Sequence, residues 1–153
     1  MTPAINLLKK KGIKFNVLSY DHDPNNTQYG LEAVEKLGLP AEQVFKTLVL
    51  EDNDNHLLVA VLPVMQQVNL KMLAKAAGVK RVQMAAQQKV ENSTGYIFGG
   101  VSPLGQKKRL ATFIHHCASN CELMYVSAGK RGLEVSISVH DLSRLTEAKL
   151  VDF

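Results

Sequence analysis

Two apolar runs separated by a short polar break constrain this chain more than any other feature. Residues 44–50 read Val-Phe-Lys-Thr-Leu-Val-Leu, and residues 57–64 read Leu-Leu-Val-Ala-Val-Leu-Pro-Val. Each is a nearly continuous run of strand-forming residues, the pattern of a strand buried within a sheet rather than one with a wet face. The intervening residues 51–55, Glu-Asp-Asn-Asp-Asn, form the polar turn that folds the second run back on the first as a hairpin. A two-stranded ribbon is not stable alone, so the chain must place further strands beside this hairpin and helices over it.

The remaining sequence supplies both. Strands are predicted over residues 14–20, 81–84, 123–127, 133–138 and 149–152, the last as an edge strand. Thr2-Pro3 reads as an N-cap followed by proline in the first turn of a helix carrying Ile5, Leu7 and Leu8 and stopped by Gly12. A second helix spans 29–37 and ends at Gly38, with Pro40 just beyond. Asn69 caps a third, which runs to Ala77 and stops at Gly78. Residues 87–92 form a short helix, and Ser138 with Asp141 has the spacing of a capping box for a last helix containing Leu142 and Leu145. The expected fold is therefore α+β. It is a mixed, largely antiparallel sheet of about seven strands curled into a partial barrel and flanked by four or five short helices. At 153 residues, without repeat, linker or low-complexity segment, residues 1–153 are expected to form a single domain.

Charge and hydropathy exclude several classes. No apolar run approaches the length that spans a bilayer. Residues 1–14 are amphipathic and lysine-rich and lack the apolar core of a secretory signal, so the expected location is cytoplasmic. The net charge is only +4. A duplex-DNA reader concentrates more charge on one face, so no DNA partner is expected. The basic residues do cluster, at Lys9-Lys10-Lys11 with Lys14, at Lys71, Lys75, Lys80 and Arg81, at Lys107-Lys108-Arg109, and at Lys130-Arg131. Such clusters either solvate helix faces and loop ends or touch phosphates. His115-His116-Cys117 and Cys121 place four potential zinc donors within seven residues. A structural zinc site draws its donors from separated segments, and adjacent residues on an extended chain point apart, so no metal is expected. A disulfide between the two cysteines is disfavoured in a reducing compartment.

Three features carry possible chemistry. Lys46 interrupts an apolar strand, where lysine is depleted. If Phe45 faces the core, Lys46 faces the other way, either into water or into a cleft where its ammonium can hold a phosphate, a carboxylate or a developing oxyanion. Gly99-Gly100-Val101-Ser102-Pro103-Leu104-Gly105 specifies an unusual backbone path that can present N–H groups to an anion, yet it has neither the ending of a Walker loop nor the context of a dinucleotide fingerprint. Ser127-Ala128-Gly129-Lys130-Arg131-Gly132-Leu133-Glu134 is a turn between two strands with a basic tip. It is either an ordinary hairpin or a lip that contacts phosphates. No nucleophile elbow, zinc-protease helix or triad can be assembled.

The three features, in this order and spacing, resemble the YbaK family of aminoacyl-tRNA deacylases. The resemblance rests on Val44-Phe45-Lys46-Thr47-Leu48, on Ser93-Thr94-Gly95-Tyr96 leading through the glycine loop to Gln106-Lys107-Lys108-Arg109, and on Val126-Ser127-Ala128-Gly129-Lys130-Arg131-Gly132. It spans essentially the whole chain. Members act in trans on tRNA that prolyl-tRNA synthetase has mischarged with cysteine, and similar domains occur as editing modules inside some prolyl-tRNA synthetases. The resemblance thus implies a cofactor-free hydrolase that clears Cys-tRNA(Pro), with mischarged tRNA and prolyl-tRNA synthetase as partners. It places the family's essential lysine on Lys46, the ester-contacting glycines on Gly99 and Gly100, and other pocket positions on Tyr20, Tyr29, Thr47, Ser127 and Glu134. Lys130 and Arg131 then become candidate tRNA-phosphate contacts. Tyr29 stands where relatives often carry Phe, and Glu134 where they often carry Asp. A missing protein nucleophile is accounted for if the substrate's own cysteine thiol attacks its ester. Two other readings stay open: a deacylase of broader or different selectivity, for example for Ala-tRNA, and a non-catalytic module that docks on tRNA or a synthetase.

Overall fold

The computed structural model describes residues 1–153. Its elements are α1 (Pro3–Lys10), β1 (Asn16–Ser19), α2 (Tyr29–Leu37), β2 (Phe45–Asp52), β3 (Leu57–Pro63), α3 (Leu70–Ala77), β4 (Val82–Met84), α4 (Gln87–Thr94), β5 (Ala111–His115), β6 (Leu123–Lys130), β7 (Leu133–Ser138), α5 (Val139–Thr146) and β8 (Lys149–Val151). Short 3-10 turns lie at Ala41–Gln43 and His116–Asn120.

Local signals set most helix ends. Thr2 Oγ1 accepts from the Ile5 N–H at 3.2 Å, Asn69 Oδ1 from Met72 at 3.1 Å and Ser138 Oγ from Asp141 at 3.0 Å. Each bond satisfies one of the N–H groups that a helix start leaves without a partner. Gly38, Gly78 and Gly95 close α2, α3 and α4 in the left-handed conformation.

The expected hairpin forms over seven residue pairs, from Phe45↔Pro63 to Glu51↔Leu57. Its surroundings differ from the expectation in two ways. First, there are eight strands rather than about seven. The additional one, β5, reads Ala-Thr-Phe-Ile-His between a basic stretch and a histidine pair, which hides it from local pattern. It becomes a strand by lying parallel to β3 on one side and parallel to β8 on the other. Second, the strands do not form one curled sheet. They divide into a three-stranded sheet in the order β1-β7-β6 and a five-stranded sheet in the order β4-β2-β3-β5-β8, with no closed barrel. One isolated bridge, Val44↔Tyr125, ties the two sheets together. The expectation of a mixed, largely antiparallel arrangement holds, because among the paired strands only the two pairings of β5 are parallel, beside the single parallel bridge at Val44.

Alternation along the hairpin divides the core. Phe45, Val49, Val59 and Val61 pack with Met124, Val126, Val135 and Ile137 of the small sheet and with α1 and α5. Leu50, Leu58, Ala60 and Leu62 on the opposite face pack with Phe113, Leu73 and Ala74. Both faces of β2 and β3 are therefore covered, as their near-continuous apolar sequence requires.

This layout leaves a gap. β2 meets the small sheet only just before its start, at Val44, and meets β4 only from Leu50 to Asp52, with Ala85 N–H donating to Val49 O. Between those points the outer edge of β2 has no neighbouring strand. Lys46, Thr47 and Leu48 lie on that stretch.

Candidate active site

A cavity of about 550 Å³ opens beside the unpaired edge of β2. It is walled by β2, by the small sheet, by the N-terminal end of α2, and by the loop that follows α4. Lys46, Thr47, Tyr20, Tyr29, Gly99, Ser127, Lys130, Arg131 and Glu134 all line it. The structure thus brings together residues separated by more than a hundred positions, and all but one of the site residues expected from the sequence are among them.

The exception is Gly100. It is buried behind the cavity wall, and its N–H donates to Ile97 O at 2.9 Å. That bond makes Gly100 the closing residue of a turn and removes its amide as a donor to any ligand. Gly99 faces the cavity at φ +90. A methyl group there would sit 2.6 Å from Tyr29 Cε2 and 2.8 Å from Arg131 Nε, so only glycine fits both the backbone and the space.

The small sheet presents two polar side chains. Ser127 and Glu134 are direct partners across β6 and β7, so their side chains share a face, and that face is the cavity wall. Ser127 Oγ accepts from Gly129 N–H at 3.1 Å, which leaves its proton free to donate. Glu134 is buried on the central strand of its sheet, and burial alone pushes its carboxyl up to about 8. At neutral pH it is a protonated donor. Its neighbour Tyr20 is pushed up to about 12, first by burial and then by the nearby Glu134 and Glu32 carboxyls.

β2 contributes a cation and an unused hydroxyl. Burial lowers the pKa of Lys46 below the usual lysine range. Thr47 Oγ1 is buried without a hydrogen-bond partner. Orphaned buried polar atoms are rare in folded proteins, so this hydroxyl is free to bond a group held in the cavity.

Arg131 is not the free basic tip expected from the sequence. Its guanidinium lies 4.5 Å from the Tyr29 ring centroid and donates to Phe98 O at 2.7 Å. It therefore straps the glycine loop to the N-terminal end of α2. Lys130 beside it is exposed at the rim. None of the other basic clusters lines the cavity.

Sequence reasoning missed a supporting network and part of the rim. Glu32 is buried on α2. Burial pushes its carboxyl up, but the Asp23 N–H at 2.9 Å, His22 Nδ1 at 2.6 Å and Lys36 Nζ at 3.0 Å together hold it down at about 2. The arrangement anchors the loop before α2 and so fixes Tyr20 and Tyr29. Met65, Met84 and Phe98 also line the cavity. The one available signal was the apolar run Tyr96-Ile97-Phe98 directly before the glycine pair.

The histidine pair also departs from expectation. His115 ends β5 and His116 begins a 3-10 turn, so the rings stack with centroids 4.7 Å apart instead of diverging. With Asp152 their donor atoms lie within 4.8 Å of one another. His115 Nδ1 accepts from the Cys117 N–H at 3.2 Å, so its proton resides on Nε2, toward Asp152. A metal-bound imidazole has the reverse arrangement, donating through its outer nitrogen, so the cluster as folded is not prepared to take an ion. Both cysteines are free thiols.

Residues 26–145 match a family described as the aminoacyl-tRNA editing domain. A protein of Enterococcus faecalis named as a candidate Cys-tRNA(Pro)/Cys-tRNA(Cys) deacylase, EbsC, is 40% identical over 118 residues, covering 77% of this chain and 72% of its own length. Among solved structures, a candidate trans-editing enzyme for prolyl-tRNA synthetase superposes with a TM-score of 0.82 at 20% identity, covering 98% of this chain and 93% of that one. A hypothetical protein superposes with a TM-score of 0.87 at 23% identity, covering 98% and 97%. At such identities these two likenesses speak for the fold alone.

Proposed function

Because the chain belongs to the aminoacyl-tRNA editing domain family, we propose that it is a trans-editing deacylase that cleaves the ester of mischarged Cys-tRNA(Pro). The observation that carries this reading is the composition of the cavity. It gathers an ammonium, a glycine backbone, hydroxyls and a protonated carboxyl, yet no histidine or cysteine lines it. Such a site can hold and polarise an ester but has no obvious protein nucleophile with a base beside it.

An aminoacyl ester is already activated, so stabilising its tetrahedral intermediate goes a long way. We assign the oxyanion to the Gly99 N–H rather than to a Gly99–Gly100 pair, since the Gly100 amide is committed to Ile97. One such donor is worth roughly 3 kcal/mol. Lys46 holds the terminal ribose-phosphate. Thr47, Ser127 and Glu134 orient the amino acid, and Tyr20 and Tyr29 close the pocket around it. The nucleophile is the substrate's own thiol. Its sulfur attacks the carbonyl carbon, the bond from that carbon to the ribose oxygen breaks, and the thiol proton passes to the ribose oxygen. The resulting four-membered thiolactone is opened by water to cysteine. Held in place, such an attack gains a large effective concentration. It also selects cysteine, since alanine has no nucleophile and serine a weaker one.

Residues 1–153 act as one domain in this scheme, too small to read much of a tRNA beyond its acceptor end. Selection of tRNA(Pro) is assigned to prolyl-tRNA synthetase as partner, in the cytoplasm. The test is deacylation of purified Cys-tRNA(Pro), Pro-tRNA(Pro) and Ala-tRNA(Pro) by wild type and Lys46→Ala, with S-methyl-cysteinyl-tRNA beside them. Loss of cysteine alone, abolished by the substitution and by methylation, is the expected result. Equal cleavage of the S-methyl substrate refutes the thiol step, and loss of alanine replaces the selectivity. No loss above the spontaneous rate favours a binding module.

A further inference from the structure

The cavity has an apolar rim that the deacylase scheme does not use. Met65, Met84 and Phe98 line the cavity yet are 67%, 48% and 40% exposed, so they sit at its mouth. Ile97, next to Phe98, is 72% exposed. Three large apolar side chains left in water where they line one cavity, with Ile97 exposed beside them in sequence, mark a surface that is covered in use.

Phe98 is also held in place. Its N–H donates to Glu91 Oε2 at 2.8 Å, and its carbonyl accepts from the Arg131 guanidinium at 2.7 Å. Both backbone groups are tied, one to α4 and the other to the turn between β6 and β7, while the ring is left partly free. Gly99, the assigned oxyanion donor, is the next residue. An aromatic ring fixed one residue from the reacting centre, with an unpaired lysine ammonium, Lys130, also at the rim, has the components of a single-stranded nucleic-acid platform.

We propose that the Phe98 ring, on the cavity rim it shares with Met65 and Met84, is the stacking platform for the unpaired 3′-terminal nucleobase of the substrate RNA. The inference rests on the deacylase reading and adds a binding subsite to it. The chemistry restricts the occupant. The ester sits on the terminal ribose, and that ribose also carries the terminal base. With the carbonyl at Gly99, the base lies one sugar away, at the mouth. A flat π face takes any base, so the platform supplies affinity without reading sequence. Charge complementarity points the same way, since the exposed Lys130 shares this rim and can meet the phosphate preceding the one assigned to Lys46.

The experiment uses the purified full chain with no synthetase present. Single-turnover deacylation of Cys-tRNA(Pro) is measured over enzyme concentration for wild type, Phe98→Leu and Phe98→Trp. In parallel, an uncharged acceptor-stem minihelix with 2-aminopurine as its terminal base reports stacking by fluorescence quenching. The expected result is a half-saturating concentration raised about tenfold or more in Phe98→Leu, with the maximal rate within a few-fold and quenching lost. Phe98→Trp is expected to preserve both. Leucine keeps bulk and apolarity, so a folding defect is not expected, and a matching circular dichroism spectrum checks this. An unchanged half-saturating concentration in Phe98→Leu, or no quenching by wild type, overturns the platform. A second arm repeats the measurement with prolyl-tRNA synthetase added, and an effect of Phe98→Leu that emerges only there overturns the platform too and makes the rim a protein contact. Failure of wild type to cleave any aminoacyl-tRNA is a different outcome and removes the underlying deacylase reading instead.

Discussion

Replacing Glu134 by glutamine isolates the electrostatic cost of placing a carboxyl on the central strand of the small sheet. In the folded protein this group titrates near 8, because burial penalises its ionised form. In the unfolded chain it titrates near its ordinary value of 4.5. A raised carboxyl pKa means that the folded state holds the proton longer. Stability is therefore fully present below the unfolded value and is lost as pH rises through the folded one. The displacement corresponds to about 5 kcal/mol, complete by roughly pH 9. Glutamine has nearly the same shape and two N–H donors and never ionises, so the Glu134→Gln protein lacks this loss. The assay is urea unfolding of both proteins from pH 5 to pH 9. The stability difference, variant minus wild type, is expected to grow in favour of the variant by several kcal/mol. With a denaturant slope of about 2 kcal/mol/M, that is a relative midpoint shift of about 2 M. A difference that stays constant within about 1 kcal/mol across this range rules out a raised Glu134 pKa. It would mean that the carboxyl ionises at its ordinary pKa, with water or a cation compensating it.

Two further substitutions probe the glycine loop. Gly99→Ala forces a side chain onto a backbone at φ +90 and into contact with Tyr29 and Arg131. Alanine keeps the N–H but the strain moves it off the carbonyl, so deacylation is expected to fall by about 100-fold, the value of one misplaced oxyanion donor, and a loss under threefold would remove Gly99 from the reacting centre. Arg131→Met cuts the strap between Tyr29 and Phe98 O, so the maximal rate is expected to fall about tenfold while the salt dependence of tRNA affinity stays as in wild type. A salt slope reduced by about one would instead make Arg131 a phosphate contact.

Local pattern and tertiary placement carry different information about this chain. Helix starts at Thr2, Asn69 and Ser138 were legible, because a cap is a contact between residues three apart. The central hairpin was legible for a similar reason, since two nearly continuous apolar runs joined by a polar turn are satisfied by burial on both faces. β5 was not legible. Its five residues carry a weak local preference, and their conformation is imposed by parallel partners some fifty residues earlier and thirty-five later.

The same division runs through the site. Lys46, Gly99, Ser127 and Glu134 were nameable from motif resemblance, and the cavity does collect them. Their states were not nameable. That Gly100 spends its amide on Ile97, that Arg131 folds back onto Tyr29 and Phe98, and that Glu134 stays protonated near neutral pH all depend on distances between segments remote in sequence. Every element but β5, the side-chain caps at Thr2, Asn69 and Ser138, the two-faced hairpin and the residue types available for chemistry follow from neighbours along the chain. The division of the strands into two sheets, the open edge of β2 and the donors left free there are set by packing between remote segments. Burial and hydrogen-bond satisfaction are properties of the whole packed chain, and no short stretch of it contains them.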